Sequence, residues 1–328
     1  MRLLVTGGAG FIGGNFIHYM IEKYAEVQIV NVDSLTYAGD IKKHQHLDGN
    51  SQYTFIKGDI TNQALMRTVF EKQSFDYIVH FAAESHVDRS IVDPHLFLQT
   101  NVIGTQLLLA LAKEFQVQKF IHISTDEVYG ELAFSEKETF TEQSPLAPNN
   151  PYSASKASAD LFVRAYFETY DLPMNIVRCS NNFGPYQLPE KLIPLTITRL
   201  LQGQRVPIYG DGQQIRDWLH CHDYCAAIDL IMEKGKSGEV YNVGSQNERT
   251  NIAVVRQIID TLALTDDFIQ FVPDRLGHDK RYAINSTKLK NLGWRPFYTF
   301  EDGLKQTIEW YLTHRDWWEK IEEKVSFK

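Results

Sequence analysis

Gly7-Gly8-Ala9-Gly10-Phe11-Ile12-Gly13 follows the apolar run Leu3-Leu4-Val5-Thr6 and opens a helical spacing over residues 11–24. Glycines let the backbone turn tightly and bring main-chain N–H groups against an anion with no side chain between. The helix that starts there points its unpaired first-turn N–H groups and positive dipole end at the same spot. A second apolar run, residues 27–33, ends on Asp33. That acid lies about 20 residues beyond the last glycine, where a carboxylate bonds the hydroxyls of an adenosine ribose. It would repel a 2′-phosphate, so NAD is expected rather than NADP. Asp59, in Lys57-Gly58-Asp59-Ile60, is a candidate partner for the adenine amino group and equally an ordinary turn residue. Phe81-Ala82-Ala83-Glu84-Ser85 offers small side chains on which a flat cofactor could rest.

Outward from the loop, short apolar runs keep alternating with helical spacings. Strands are predicted at 53–57, 77–82, 119–124 and 174–179, and helices at 62–72, 97–115 and 152–170. Continuously apolar strands separated by helices predict a parallel sheet covered on both faces. The fold expected over residues 1–180 is therefore α/β, a doubly wound parallel sheet of Rossmann type. Beyond Asn181 the pattern is cut by Gly184-Pro185, Pro189, Pro194 and Gly210-Asp211-Gly212. Helices are expected at 192–202, 223–233, 252–264 and 301–313. Residues 181–328 read as a smaller C-terminal substrate-binding lobe, with 215–220 and 240–243 as strands able to return to the main sheet. The tail from His314 reads as a surface helix.

The 328 residues carry a net charge of -8, with 43% hydrophobic and 23% charged side chains. That balance argues against a nucleic-acid backbone as the main partner. Three cysteines, an odd and low count, suit a reducing compartment. The N-terminal apolar run is too short for a signal peptide, and no run approaches the ~20 apolar residues of a membrane span. A cytoplasmic protein without a membrane partner is expected. His220-Cys221-His222-Asp223 is not expected to bind metal, because neighbours on a strand point to opposite faces.

The strand at 119–124 runs into Thr125-Asp126-Glu127, and Tyr152-x-x-x-Lys156 follows. Tyr152 and Lys156 share a helix face. A free tyrosine, with a pKa of about 10, is a poor base, and a nearby ammonium is expected to lower that value. The pair then suits proton removal from a hydroxyl as hydride leaves. Simple dehydrogenation has no use for two further acids at the C-terminal end of a parallel strand, where such sheets hold ligands. They point to acid–base chemistry on the resulting ketone. A diphosphate needs cations or amides; Lys191, Arg216, Arg275 and Arg281 are candidate cations, and Asn181 and Asn251 candidate neutral donors.

These residues resemble the extended short-chain dehydrogenase/reductase superfamily over nearly the whole chain. Thr125-Asp126-Glu127-Val128-Tyr129-Gly130 is similar to the signature of its nucleotide-sugar 4,6-dehydratases. Glu84-Ser85-His86-Val87-Asp88-Arg89-Ser90, Asn181-Asn182-Phe183-Gly184-Pro185-Tyr186-Gln187, Pro189-Glu190-Lys191-Leu192-Ile193-Pro194 and Gly277-His278-Asp279-Lys280-Arg281-Tyr282 agree with it. Leu276 stands where that family usually has Pro, and Phe183 and Leu188 where Tyr and Phe are expected.

The resemblance implies a tightly bound NAD and a nucleotide-sugar substrate, dTDP-glucose foremost, on the way to dTDP-rhamnose. It implies that Tyr152, with Lys156, takes the C4 hydroxyl proton during oxidation, while Thr125 holds the C4 oxygen. Glu127 then removes the C5 proton, and Asp126, protonated, releases the C6 hydroxyl as water before C6 is reduced. Opposite protonation states of two close acids are what burial and like charge can produce. The implied cofactor contacts are Gly7, Gly10, Phe11, Ile12, Gly13, Asp33, Ser34, Leu35, Thr36, Asp59, Ile60, Phe81, Ala82, Ala83, Ser85, Thr100, Tyr152, Lys156 and Asn182. The implied substrate contacts are Ser85, His86, Thr125, Asn181, Lys191, Leu192, Pro207, Ile208, Tyr209, Arg216, Asn251, Asp274, Arg275 and His278. The family's homodimer pairs the helices at 97–115 and 152–170. UDP- and CDP-sugar dehydratases, a 4-epimerase, a decarboxylase and a non-catalytic NAD sensor remain alternatives at this point. The epimerase and decarboxylase typically lack the Asp-Glu pair, and the sensor predicts loss of Tyr152 or Lys156.

Overall fold

Seven strands form one parallel sheet: β1 (Arg2–Thr6), β2 (Gln28–Asp33), β3 (Tyr53–Lys57), β4 (Tyr77–His80), β5 (Lys119–Thr125), β6 (Met174–Cys179) and, later in the chain, Glu239–Val243. The computed structural model describes residues 1–134, 138–274 and 279–326. Three strands intervene before the last of the seven: β7 (Asn181–Phe183), β8 (Val206–Tyr209) and β9 (Ile215–His220), so Glu239–Val243 is β10; β11 (Glu248–Thr250) and β12 (Ile269–Val272) follow. The sheet order is β10-β6-β5-β4-β1-β2-β3. The chain thus winds outward in one direction from β1 and in the other from β4. The two strands lie side by side, with Thr6 opposite His80, and a crevice opens beyond their C-terminal ends, where such sheets bind ligands.

Helices cover both faces, as the strand pattern requires. They are α1 (Phe11–Lys23), α2 (Gln63–Lys72), α3 (Val87–Val92), α4 (Pro94–Phe97), α5 (Thr105–Glu114), α6 (Pro151–Tyr170), α7 (Leu192–Leu201), α8 (Cys221–Lys234), α9 (Asn251–Thr261), α10 (Thr287–Asn291), α11 (Phe300–Thr313) and α12 (Arg315–Ser326). Strand alternation divides the core: Leu3 and Val5 pack with α1 and α8, while Leu4 packs with α2, α5 and α6. A third core joins α7, α9, α11 and α12 through Ile197, Ile258, Leu304 and Trp318.

Four sequence expectations are amended. β10 returns to the main sheet, but β9 does not: it pairs with β7 and β11 in a separate three-stranded sheet. The helix expected at 97–115 starts at Pro94 and passes through a π-helical turn, Leu98–Gly104. The continuous stretch Pro94–Glu114 is, at 21 residues, long and apolar enough for a membrane span, yet half of its apolar window is buried inside the fold. The C-terminal tail is no simple surface helix: Trp318 is 0% exposed and its indole N–H donates to the Tyr311 carbonyl.

Candidate active site

Gly7 turns the chain out of β1 at φ 74°, and a Cβ there would lie 2.5 Å from the Ala82 nitrogen beyond β4. A Cβ on Gly13 would lie 2.5 Å from the Gly7 carbonyl oxygen. Glycine at these positions is what lets α1 start against the sheet. Asp33 ends β2, and its two oxygens accept N–H groups from Ala9 at 2.9 Å and Leu35 at 2.8 Å. Burial raises its pKa, and those two N–H bonds oppose the rise.

A cavity of ≈ 380 Å³ runs from this loop to Tyr152 and Lys156. Every expected cofactor residue lines it except Leu35, which sits at φ 54° and contributes through its N–H to Asp33. Asp59 lines the cavity and is also a turn residue, accepting from the Thr61 N–H and hydroxyl, both at 2.8 Å. Sequence reasoning missed Tyr37, Ala38 and Gly39, although they follow the acid-bearing turn, Gln187 and Glu190, which lie inside segments already singled out, and Leu188 between them. Closely approaching glycine backbone, a helix N-terminus and a pinned acid at one end of an elongated cavity fit a dinucleotide.

At the other end, Thr125 closes β5 and caps the 3-10 turn Asp126–Tyr129, accepting the Glu127 N–H at 3.3 Å. Gly130, at φ 87°, ends that turn where a Cβ would meet the Ala147 carbonyl oxygen at 2.5 Å. The two acids part company here. Glu127 is half-buried and lines the cavity. Asp126 is 2% exposed, does not line it, and has one carboxyl oxygen buried without a hydrogen-bond partner. Burial first, then the Glu127 and Asp217 charges, pushes its pKa well up, against the Arg216 charge and the Thr125 hydrogen bond. The protonated form of Asp126 is therefore the one its surroundings favour.

Helix α6 delivers Tyr152 and Lys156 from its first turns. Pro151 and an Asn150–Ser153 capping box start it. Tyr152 shares a hydrogen bond with Thr125, but its pKa is raised by burial and by Glu127, not lowered as the Lys156 argument anticipated. The lysine ammonium donates to the Ile123 carbonyl at 2.6 Å, and burial lowers its own pKa to about 8 against the pull of Asp160. Behind it Asp160 bonds Arg178 at 2.8 Å, and Arg178 donates to the Tyr129 hydroxyl at 2.9 Å.

The expected substrate residues divide. Ser85, Thr125, Asn181 and Lys191 line the cavity. His86 caps α3 and stands 3.7 Å from cavity-lining Glu190. Leu192, Pro207, Ile208, Tyr209, Arg216, Asn251 and Asp274 are not brought into it. Ile208 belongs to the lobe core, and the Arg216 guanidinium donates to the Ile215 and Asp279 carbonyls at 2.8 and 2.9 Å while lying over the Tyr282 ring. Asn251 starts α9 with its N–H on the Gln214 carbonyl, and Asp274 accepts from the Gln214 amide at 3.2 Å. Arg281 is engaged by Glu248 at 2.6 Å. Arg275 and His278 lie outside the described residues. Among the described residues no His/Cys/Asp/Glu group suits a metal ion; the His220 ring caps α8 and Asp223 accepts the Phe297 and Tyr298 N–H groups.

A dinucleotide cavity that ends on a Tyr/Lys pair and a Thr-Asp-Glu turn defines an extended short-chain dehydrogenase/reductase equipped for elimination. The family model described as GDP-mannose 4,6 dehydratase matches residues 4–307. The dTDP-glucose 4,6-dehydratase of Xanthomonas campestris pv. campestris is 49% identical, covering 96% of this chain and 94% of its own. Among solved structures, the dTDP-glucose 4,6-dehydratase of Bacillus anthracis in complex with NAD is 50% identical with a TM-score of 0.92, over 98% of this chain and 99% of that one. The UDP-glucose 4-epimerase of Thermotoga maritima, with UDP-glucose, reaches a TM-score of 0.89 at 30% identity, over 95% and 99%. The chain belongs to the nucleotide-sugar 4,6-dehydratase family.

Proposed function

We propose that this protein is a dTDP-glucose 4,6-dehydratase, converting dTDP-glucose to dTDP-4-keto-6-deoxyglucose and water for dTDP-rhamnose synthesis. One observation carries the reading: adjacent acids after β5, one buried with its pKa pushed up, the other on the wall of the cavity that holds Tyr152. The 49% identity to a dTDP-glucose 4,6-dehydratase supports the substrate, and the NAD complex of the Bacillus anthracis relative supports the cofactor. The glycine-loop residues and Asp33 hold NAD, with Asp59, Thr100 and Asn182 further along the cavity.

Bound NAD supplies a hydride acceptor, a hydride donor for the later reduction, and positive charge. Tyr152 takes the C4 hydroxyl proton, with Lys156 charged beside it and Thr125 on the C4 oxygen. Burial and the Glu127 charge raise the phenol pKa, and the positive charge of bound NAD would oppose that rise. Glu127 removes the C5 proton, which the C4 ketone has acidified. Asp126 gives its proton to the departing C6 hydroxyl; its raised pKa is what that step requires. Lys191 and Asn181 bind the nucleotide diphosphate from the cavity wall, while Arg216, Arg275, the Pro207–Tyr209 strand, Asn251, Asp274 and His278 are assigned to the nucleotide side on the family resemblance alone.

The enzyme works as a homodimer in the cytoplasm. Leu98 and Ile103 on the π-helical turn, and Leu161 and Phe162 on α6, are exposed apolar side chains on the helices the family pairs. A monomer by light scattering would overturn that part. The cysteines Cys179, Cys221 and Cys225 are free and buried, which supports a reducing compartment.

Purified protein incubated with dTDP-glucose should yield the alkali-absorbing 4-keto product. Turnover of UDP- or CDP-glucose but not dTDP-glucose would overturn the base assignment. A 4-epimer formed without water loss would overturn the dehydratase.

A further inference from the structure

Three successive carbonyls of the glycine loop are taken by one short segment that the reaction does not use. The Gly8 carbonyl accepts from His44 Nε2 at 2.7 Å, the Ala9 carbonyl from the Asp40 N–H at 2.9 Å, and the Gly10 carbonyl from Lys43 Nζ at 2.7 Å. All three donors belong to the 3-10 turn Ile41–Leu47 and its cap residue Asp40. On the loop's other side the N–H groups of Gly8 and Ala9 go to Asn31 and Asp33 at 3.1 and 2.9 Å. Beside Gly7 and Gly10, what faces the cavity is the first turn of α1, Phe11, Ile12 and Gly13, whose N–H groups have no intrahelical partner.

Lys43 is 4% exposed. An ammonium in such a place costs free energy that a surface lysine avoids, and only the Asp40 and Asp33 charges oppose that cost. His44 is buried too, and burial lowers its pKa to about 4 and that of His18 to about 3. His44 is therefore a neutral ring that gives its Nε2 proton to Gly8 while its Nδ1 pairs with His18 Nε2 at 3.0 Å. The segment is braced from the far end of the chain, since the Trp317 indole donates to Asp40 Oδ2 at 2.8 Å.

We propose that Asp40, Lys43 and His44 clamp the glycine loop from behind, and that Lys43 and His44 are positioning residues that set how tightly NAD is held. This rests on the cavity being the NAD site. By fixing three carbonyls, the clamp holds the loop so that the α1 N-terminus is offered to the pyrophosphate. The Lys43 ammonium at Gly10 O, the carbonyl that also accepts the Gly14 N–H at 3.1 Å, secures the joint between loop and helix.

The test uses the full chain stripped of nucleotide, titrated with NAD calorimetrically, beside thermal unfolding of the NAD-free protein and kcat at saturating NAD. Lys43→Met should weaken NAD binding roughly 10- to 100-fold, the worth of one charge-assisted hydrogen bond. His44→Leu should weaken it several-fold, while Lys43→Arg and His44→Gln, which keep a donor, should restore most of the affinity. The NAD-free melting temperature of Lys43→Met should not fall, because a buried charge has been replaced by an apolar chain of similar length. The groups facing Lys43 are Asp40, Asp33, His18, His44 and Tyr186, with His46 beside the two histidines. Burial lowers the Lys43 pKa to about 8, and Lys156 in the cavity titrates in the same range, so wild-type affinity should decline more steeply between about pH 7 and pH 9 than that of the Met variant, which keeps only the Lys156 contribution. Unchanged NAD affinity in Lys43→Met and His44→Leu, or a lowered NAD-free melting temperature with unchanged affinity, would overturn the clamp. Failure of the wild-type protein to bind NAD would instead overturn the cofactor reading.

Discussion

The two ends of the cavity are built in opposite ways. At the cofactor end nearly every polar group is answered by another: both Asp33 oxygens take backbone N–H groups, and Asn31 accepts from Gly8 and donates to the Tyr53 hydroxyl. At the chemical end Asp126 Oδ2, Ser180 Oγ, Asn182 Oδ1 and Gln187 Oε1 are buried without a hydrogen-bond partner. The first end is assembled by one contiguous β1-α1-β2 unit and the tip of β4. The second draws on β5, α6, β7 and the lobe. A site that binds one cofactor throughout its cycle can be satisfied in advance, whereas one that must change protonation state during each turnover retains unanswered groups.

The sharpest way to break that contrast is Glu127→Gln. If the chemical end depends on Glu127 as base, dehydration should fall by roughly three orders of magnitude, the range for loss of a positioned general base. Oxidation at C4 should survive, so reduced cofactor accumulates and is read by its fluorescence in a single turnover. Normal product formation would show that another group removes the C5 proton.

A smaller effect is expected from Asp160→Asn, one helical turn beyond Lys156. Asp160 is the chief influence raising the Lys156 pKa, which burial has lowered to about 8. Without that charge the lysine loses its proton at lower pH, so the alkaline limb of kcat should move toward neutrality. Losing a buried partner also leaves Arg178 unpaired, at about 3–5 kcal/mol. The shape of the pH profile is therefore the readout, not its height, and an unmoved limb would assign Asp160 to stability alone.

This contrast also explains what could be read in advance. The glycine loop, Asp33 and the Tyr/Lys pair are local in sequence, and their geometry follows from one strand and one helix. Lys43 and His44 carry no such signal, because a short 3-10 turn has no apolar period and their meaning lies in carbonyls more than 30 residues away. Residues 215–220 and 240–243 both read as strands, but pairing is decided by neighbours: β10 lies along β6, while β9 carries Arg216 and Asp217 into a separate sheet. The tail misled because its Trp, Glu and Lys look like a solvated face, whereas Trp318 fills the lobe core. The sense of the Tyr152 shift was wrong for a related reason: spacing on a helix reveals Lys156 but not the burial and the Glu127 charge that outweigh it.

The smallest effect sets one acid from each end side by side. The folded-state pKa of Asp126 is well above its ordinary value of 3.8. The native chain therefore binds this proton more tightly than the unfolded chain does. The stability this confers is full below the ordinary value and is lost as pH rises from there toward the folded value. Asp126→Asn removes that penalty, so its melting temperature at neutral pH should exceed wild type by roughly 2 °C, what ~1 kcal/mol gives a large domain. The gap should close near pH 4, even as dehydration is lost. Asp33→Asn should show no such gain: an amide offers one acceptor oxygen where Asp33 now satisfies both the Ala9 and Leu35 N–H groups, and an unanswered donor costs ~1 kcal/mol or more. Opposite signs for the two substitutions would mean that the cofactor acid is held for the fold as well as the ligand, and the catalytic acid against it. Equal signs would erase the distinction between the two ends.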